Sequence, residues 1–171
     1  WYKVPFDANG TVGRQSYSDK QKELRELLTS AVKNRLVADV PLGTFLSGGT
    51  DSSIIAGIAS KLHPGIHSFS IGYRDDPFFD ETEYAELVAR HFNTQHHVFK
   101  LSNDDLLNHL EGMISNIDEP FADSSALPVY ILSEETRRHV TVALSGDGAD
   151  ELFGGYNKHL AWQKSVEPSI S

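Results

Sequence analysis

Two short stretches hold the residues best placed to do chemistry. The first, Phe45-Leu46-Ser47-Gly48-Gly49-Thr50-Asp51-Ser52-Ser53, lies between an apolar run at 43–46 and an apolar segment at 54–62. That pattern predicts strand, turn, helix, with two glycines allowing a tight turn. A helix starting at about Asp51 would add unsatisfied N–H groups and the positive end of its dipole. Ser47, Ser52 and Ser53 would add hydroxyl donors. Such a nest suits a phosphate or pyrophosphate. Asp51 repels a bare anion and fits if Mg²⁺ sits between carboxylate and phosphate. The competing reading is a Ser/Gly turn in which Asp51 or Ser52 only caps the helix.

The second stretch repeats the theme. Val140-Thr141-Val142-Ala143-Leu144 reads as a buried strand and runs into Ser145-Gly146-Asp147-Gly148-Ala149-Asp150-Glu151-Leu152-Phe153-Gly154-Gly155-Tyr156. Two such strand ends on one parallel sheet would face each other across a crevice. Asp51 and Asp150 would then be a pair able to hold Mg²⁺. The alternative is that Asp150 caps the helix into Leu152 and Phe153. Asp147 has no capping role. By chemistry alone, Leu46 and Ile71 are strand residues of the core.

Ser-Gly-Gly-x-Asp-Ser at 47–52 resembles the pyrophosphate loop of the ATP pyrophosphatases that adenylate their substrates. The motif at 145–156 resembles the second signature of glutamine-dependent asparagine synthetases, and the joint resemblance runs from about Arg35 to Lys158. It implies ATP and Mg²⁺ as cofactors. Leu46 and Ile71 would contact adenine, and Ser145 and Gly146 would hold the nucleoside through their backbone. Ser47, Gly48, Gly49, Asp51 and Ser52 would form the phosphate loop, with Asp51 and Asp150 as metal ligands. Asp147, often Glu in the family, would position the incoming amine or the acyl adenylate. The reaction implied is attack of the aspartate side-chain carboxylate on the α-phosphate of ATP. It gives β-aspartyl-AMP and pyrophosphate, and ammonia from glutamine then gives asparagine and AMP. A β-lactam synthetase-like use of the same adenylation stays open, as does a nucleotide-binding module without catalysis.

The elements that must position these residues alternate along the chain. A helix from Ser18, with Gln21 at capping-box spacing, carries Leu24, Leu27, Leu28, Ala31, Val32 and Leu36 on one face. Pro41 precedes the first strand. Strands follow at 66–71, ended by Gly72, at 95–101 and at 140–144. Between them lie a helix capped by Asp80 or Thr82 with Tyr84, Leu87, Val88 and Phe92 inward, a helix from Ser102, and one over 124–138. This predicts an α/β, Rossmann-like parallel sheet with helices on both faces. If the strand order is 3-2-1-4, both Ser-Gly turns lie at the switch point where such sheets bind ligands.

Other polar clusters read as structural. His96 and His97 are adjacent on a strand and point to opposite faces, so they do not share a metal. His63, His67, His91 and His109 show no ligand spacing. The acidic loop with Asp118, Glu119 and Asp123 is either a second carboxylate site or solvated charge. Arg137 and Arg138 suit a helix C-terminus.

With 171 residues the chain is about one domain, long enough to bury a core. Its 24 acidic against 15 basic residues, a net −9, argue against nucleic acid as the main partner. There is no run of transmembrane length and no signal-peptide pattern, so the expected location is cytoplasmic, away from membranes. Zero cysteines exclude a disulfide scaffold, a thiolate zinc site and a cysteine nucleophile within these residues. The chain begins at Trp1 and its one methionine is Met113, so it is expected to be part of a longer protein. Residues 1–17 read as a linker from an N-terminal glutaminase domain, 18–165 as the synthetase domain, truncated at its C-terminus, and 166–171 as a frayed tail. The isolated piece is expected to be inactive, and a homodimer is compatible with this reading.

Overall fold

Every expected strand forms, and all four run parallel. The computed structural model describes residues 15–119 and 123–166. Its elements are α1 (Tyr17–Arg35), β1 (Leu42–Phe45), α2 (Thr50–Leu62), β2 (His67–Tyr73), α3 (Thr82–Phe92), β3 (Gln95–Leu101), α4 (Asn103–Ser115), α5 (Ala126–Arg137), β4 (Val142–Leu144), α6 (Ala149–Phe153) and α7 (Asn157–Val166). A 3-10 turn spans Pro77–Phe79. The strand order is β3-β2-β1-β4, so β1 and β4 are neighbours although β4 comes last in sequence.

Alternation along the strands sorts the two faces. Leu42 packs with Val32 of α1, Ala59 of α2 and Ile66, while Leu46 packs with Ala56 of α2 and with Ala85 and Ala89 of α3. Phe45, of opposite parity, shares a cleft with Tyr130 and Thr136 of α5. α4 packs on α5, and the two also contact β3 and β2 respectively. Phe69, at 0% exposure, anchors that second face. Burying a side chain of this kind stabilises the fold by about 1.5–3 kcal/mol.

The boundaries and phases differ in places. α1 begins at Tyr17 because Ser16, not Ser18, caps it: the Ser16 hydroxyl accepts the Asp19 N–H at 3.1 Å. Only Val32 of its apolar stripe is fully buried, and Leu27 is exposed. Gly72 lies inside β2 rather than ending it, close against Thr82 and Asp80. The expected inward face of α3 holds in part: Val88 packs on the Leu46 cluster and Phe92 lies against Gly57 of α2. Ala85 and Ala89 face the core, because small residues allow close approach to the sheet and loop, while Tyr84 and Leu87 lie outside. α5 starts at Ala126 and β4 at Val142, both two residues later than expected. α7 has no counterpart in the sequence reading, and it carries helix through Val166. Of the expected linker and tail, residues 1–14 and 167–171 lie outside the described residues.

Candidate functional site

The first loop leaves β1 after Phe45 and enters α2 at Thr50. Gly49 is the N-cap, and no side chain caps the helix. Asp51 therefore sits within the first turn, and the simple capping role is not realised for it or for Ser52. Ser47 and Ser52 instead close the loop on itself. Their hydroxyls lie 3.0 Å apart, the Ser52 hydroxyl donates to the Gly49 carbonyl at 3.2 Å, and it accepts the Ser47 N–H at 3.2 Å. The Gly49 N–H donates to the Ser47 hydroxyl at 3.2 Å. The Ser53 hydroxyl is buried without a partner among the described residues. Gly48 takes φ of 87°, and an added Cβ would lie 2.6 Å from both the Ala85 nitrogen and the Tyr84 Cβ. The loop thus rests on the first turn of α3, and only glycine fits there.

The second turn follows β4. The Ser145 hydroxyl donates to the Asp147 carboxylate at 3.0 Å, and Gly148 turns the chain with φ of 88°. α6 has Gly148 as N-cap with no side-chain bond, so Asp150 lies in its first turn and is not its cap. A Cβ on Gly146 would lie 2.9 Å from the Asp51 carbonyl carbon. The two Ser-Gly turns therefore touch. A Cβ on Gly155 would collide with the Asp150 carboxylate, so Gly155 makes room for it.

Leu46 is buried just past the end of β1, and Ile71 is half-buried on β2 beside Phe99 of β3. Asp51 and Asp150 are half-buried, while Asp147 is exposed. Neither the Asp51 nor the Asp150 carboxylate has a hydrogen-bond or cationic partner among the described residues. No cluster of three or more His, Cys, Asp or Glu able to hold a metal occurs among those residues. Tyr156 closes the second motif by donating to Glu151 at 2.7 Å, with the Lys158 ammonium 4.5 Å from its ring centre. That bond, followed by desolvation and the nearby Glu151, Asp150 and Asp123 charges, pushes the Tyr156 pKa up to about 12. In the acidic loop, Asp123 accepts the Ser125 N–H at 2.8 Å at the entrance to α5, which gives it a structural role.

Three supporting residues carry no motif. Asp80 accepts the Thr82 N–H at 3.0 Å and binds Lys100 at 3.2 Å, holding the first turn of α3 beneath Gly48. The Thr82 hydroxyl bond is the main reason its pKa is lowered. Ser70 donates its hydroxyl to the Leu46 carbonyl, and His96 lies beside it. The spacing of Asp80 and Thr82 was the only sequence signal among them.

This fold and its paired turns at neighbouring strand ends define a parallel-sheet α/β protein with its candidate site at the switch point of the sheet. Glutamine-dependent NAD⁺ synthetase from Acinetobacter baumannii, solved with ADP, superposes with a TM-score of 0.58 at 19% identity, over 88% of this chain and 31% of that one. The NH3-dependent NAD synthetase from Campylobacter jejuni gives 0.53 at 13% identity, over 79% and 60%. Residues 23–170 match the asparagine synthase family, and the chain belongs to it. It is 38% identical over 156 residues to asparagine synthetase [glutamine-hydrolyzing] 1 of Bacillus subtilis, covering 91% of this chain and 24% of that protein. It is 45% identical over 147 residues to a putative asparagine synthetase [glutamine-hydrolyzing] 2 of Methanocaldococcus jannaschii, covering 83% and 28%. The chain thus spans about a quarter of the length of these curated relatives.

Proposed function

We propose that this chain carries the adenylating centre of a glutamine-dependent asparagine synthetase. The observation behind this reading is the contact of the Gly146 turn with Asp51 and Ser52 at the head of α2. It joins an N–H-rich helix start to a second turn bearing carboxylates. In this reading the N–H groups at the start of α2 receive the ATP phosphates, while Leu46 and Ile71 border adenine. The backbone of Ser145 and Gly146 holds the nucleoside.

Two half-buried carboxylates without a cationic partner fit a divalent cation. Asp51 and Asp150 would hold Mg²⁺, which when bound offsets the charge of departing pyrophosphate. The aspartate side-chain carboxylate attacks the α-phosphorus, the bond to the bridging oxygen breaks, and pyrophosphate leaves with that electron pair. Asp147, exposed at the turn, orients the amine that then displaces AMP. Ammonia comes from glutamine through a glutaminase domain of the complete protein. The test uses protein expressed from the complete reading frame with ATP, Mg²⁺, aspartate and either glutamine or ammonium. Equal yields of pyrophosphate and asparagine are expected. Absence of pyrophosphate release would refute adenylation, and release only with another acid would reassign the substrate.

A further inference from the structure

A partly buried polar chain runs across the sheet from the start of β3 to the residue that opens the first loop. The Thr94 and Ser68 hydroxyls lie 2.7 Å apart, and Ser68 is 2.8 Å from His96 Nδ1. His96 Nε2 is 3.4 Å from the Ser70 hydroxyl, the longest link, and Ser70 reaches the Leu46 carbonyl. Ser68 and Ser70 are 0% and 3% exposed, so water does not substitute for these partners.

Donor and acceptor roles follow from the far end. A carbonyl only accepts, so the one Ser70 proton goes to Leu46. His96 Nε2 must then donate to Ser70, which leaves Nδ1 to accept from Ser68. Ser68 in turn accepts from Thr94. Every proton points toward Leu46. The opposite tautomer would put Nδ1–H toward Ser68 and an unprotonated Nε2 toward Ser70, drawing the Ser70 proton away from Leu46. Burial lowers the His96 pKa below its ordinary 6.5, against the opposing effects of Glu86 and the Ser68 main chain, which favours a neutral ring.

The Leu46 carbonyl and the Ser47 N–H belong to one rigid peptide plane. Ser70 holds one edge of that plane, and Ser52 at the head of α2 holds the other through the Ser47 N–H. The Leu46 N–H is separately tied to the Phe69 carbonyl at 2.8 Å. We propose that His96 is a positioning residue for the nucleotide loop: as the Nε2–H tautomer it keeps Ser70 on the Leu46 carbonyl and so fixes the peptide plane from which the loop closes. This rests on the reading that the loop seats ATP.

The experiment uses the full-length protein. Nitrogen-15 NMR of the wild-type histidines at neutral pH should show His96 protonated on Nε2. Mg-ATP titration and steady-state kinetics should show Ser70→Ala and His96→Leu weakening ATP binding, with KM for ATP raised roughly threefold to tenfold, the loss of about one hydrogen bond. kcat should fall less. His96→Gln, whose amide nitrogen can donate from the Nε2 position, should restore ATP affinity. An Nδ1–H tautomer in the wild type would overturn the proposal whether or not any variant folds. So would unchanged ATP affinity in Ser70→Ala, or His96→Gln as impaired as His96→Leu. If wild-type protein binds no ATP, the nucleotide reading fails instead, and that outcome is separate from the tautomer result.

Discussion

A methyl group on Gly146 would stand 2.8 Å from the Ser52 nitrogen, so the turn after β4 rests on the first turn of α2. That contact sets the spacing between the two carboxylate-bearing segments. Gly146→Ala must push them apart, because the obstacle is backbone rather than a flexible side-chain end. Pyrophosphate release should fall roughly 100-fold, the effect of an ångström-scale displacement in a reacting geometry. Stopped-time pyrophosphate assays on folded protein check this, and a rate close to wild type would refute the coupling of the turns.

The carboxylates themselves are tested by Asp51→Asn and Asp150→Asn. Both keep size and remove charge. If the pair offsets charge on departing pyrophosphate, each variant should lose roughly 100- to 1,000-fold in kcat. Gly155→Ala approaches the same point by another route, since its methyl would displace the Asp150 carboxylate. Near-normal turnover of Asp150→Asn at saturating Mg²⁺ would break the assignment.

Gly48 is the conformational pivot of the first loop. At φ of 87° an alanine costs about 1–2 kcal/mol in backbone strain alone. Its methyl would also meet the main chain of α3 at Ala85. Gly48→Ala should lower the urea midpoint and weaken ATP binding together. An unchanged midpoint would mean the loop is free of α3.

Acid should destabilise the opposite face of the sheet. His67 and His97 are joined through Nδ1 and Nε2 at 2.9 Å, and both rings stack near Phe69. Burial is the main cause lowering both pKa values below 6.5, helped for His67 by His139 and His63, and for His97 by His139, His67 and His96. The unfolded chain therefore takes up protons first as pH falls. The stability these rings contribute is complete above about pH 6.5 and is lost as pH drops from there through the folded values. Thermal melts from pH 7.5 to 5 should show a falling Tm, with a shallower slope in His97→Phe. Equal slopes would show that the pair is not the source.

Much of this architecture was legible in the chain. Strand β3 matches its expected bounds of 95–101, and the order β3-β2-β1-β4 follows from alternating strand and helix signals with the switch at the two Ser-Gly turns. The pointing of His96 and His97 to opposite faces was also readable from period two. What was not readable depends on tertiary fit. The inward face of α3 is set by Ala85 and Ala89, small residues that hydrophobicity alone ranks below Tyr84 and Leu87. The α1 cap fell to Ser16 because two serines two residues apart give similar local signals. Ser68, Ser70 and His96 look like solvent-facing strand residues until helix α3 covers them. Among the described residues no helix is long and apolar enough to cross a membrane.

The strand order also decides when the candidate site comes into being. Ser47 and Ser145 are about 100 residues apart in sequence, yet their turns meet in space, so closing that span carries the entropy of a long loop. β1, β2 and β3 can pair one after another as the chain emerges, each across a single helix. β4 must wait for both α4 and α5 to cross the opposite face before it reaches β1. The first turn is therefore made before its counterpart, which waits on two intervening helices. Nucleotide capture becomes a reporter of this long-range topological step in folding.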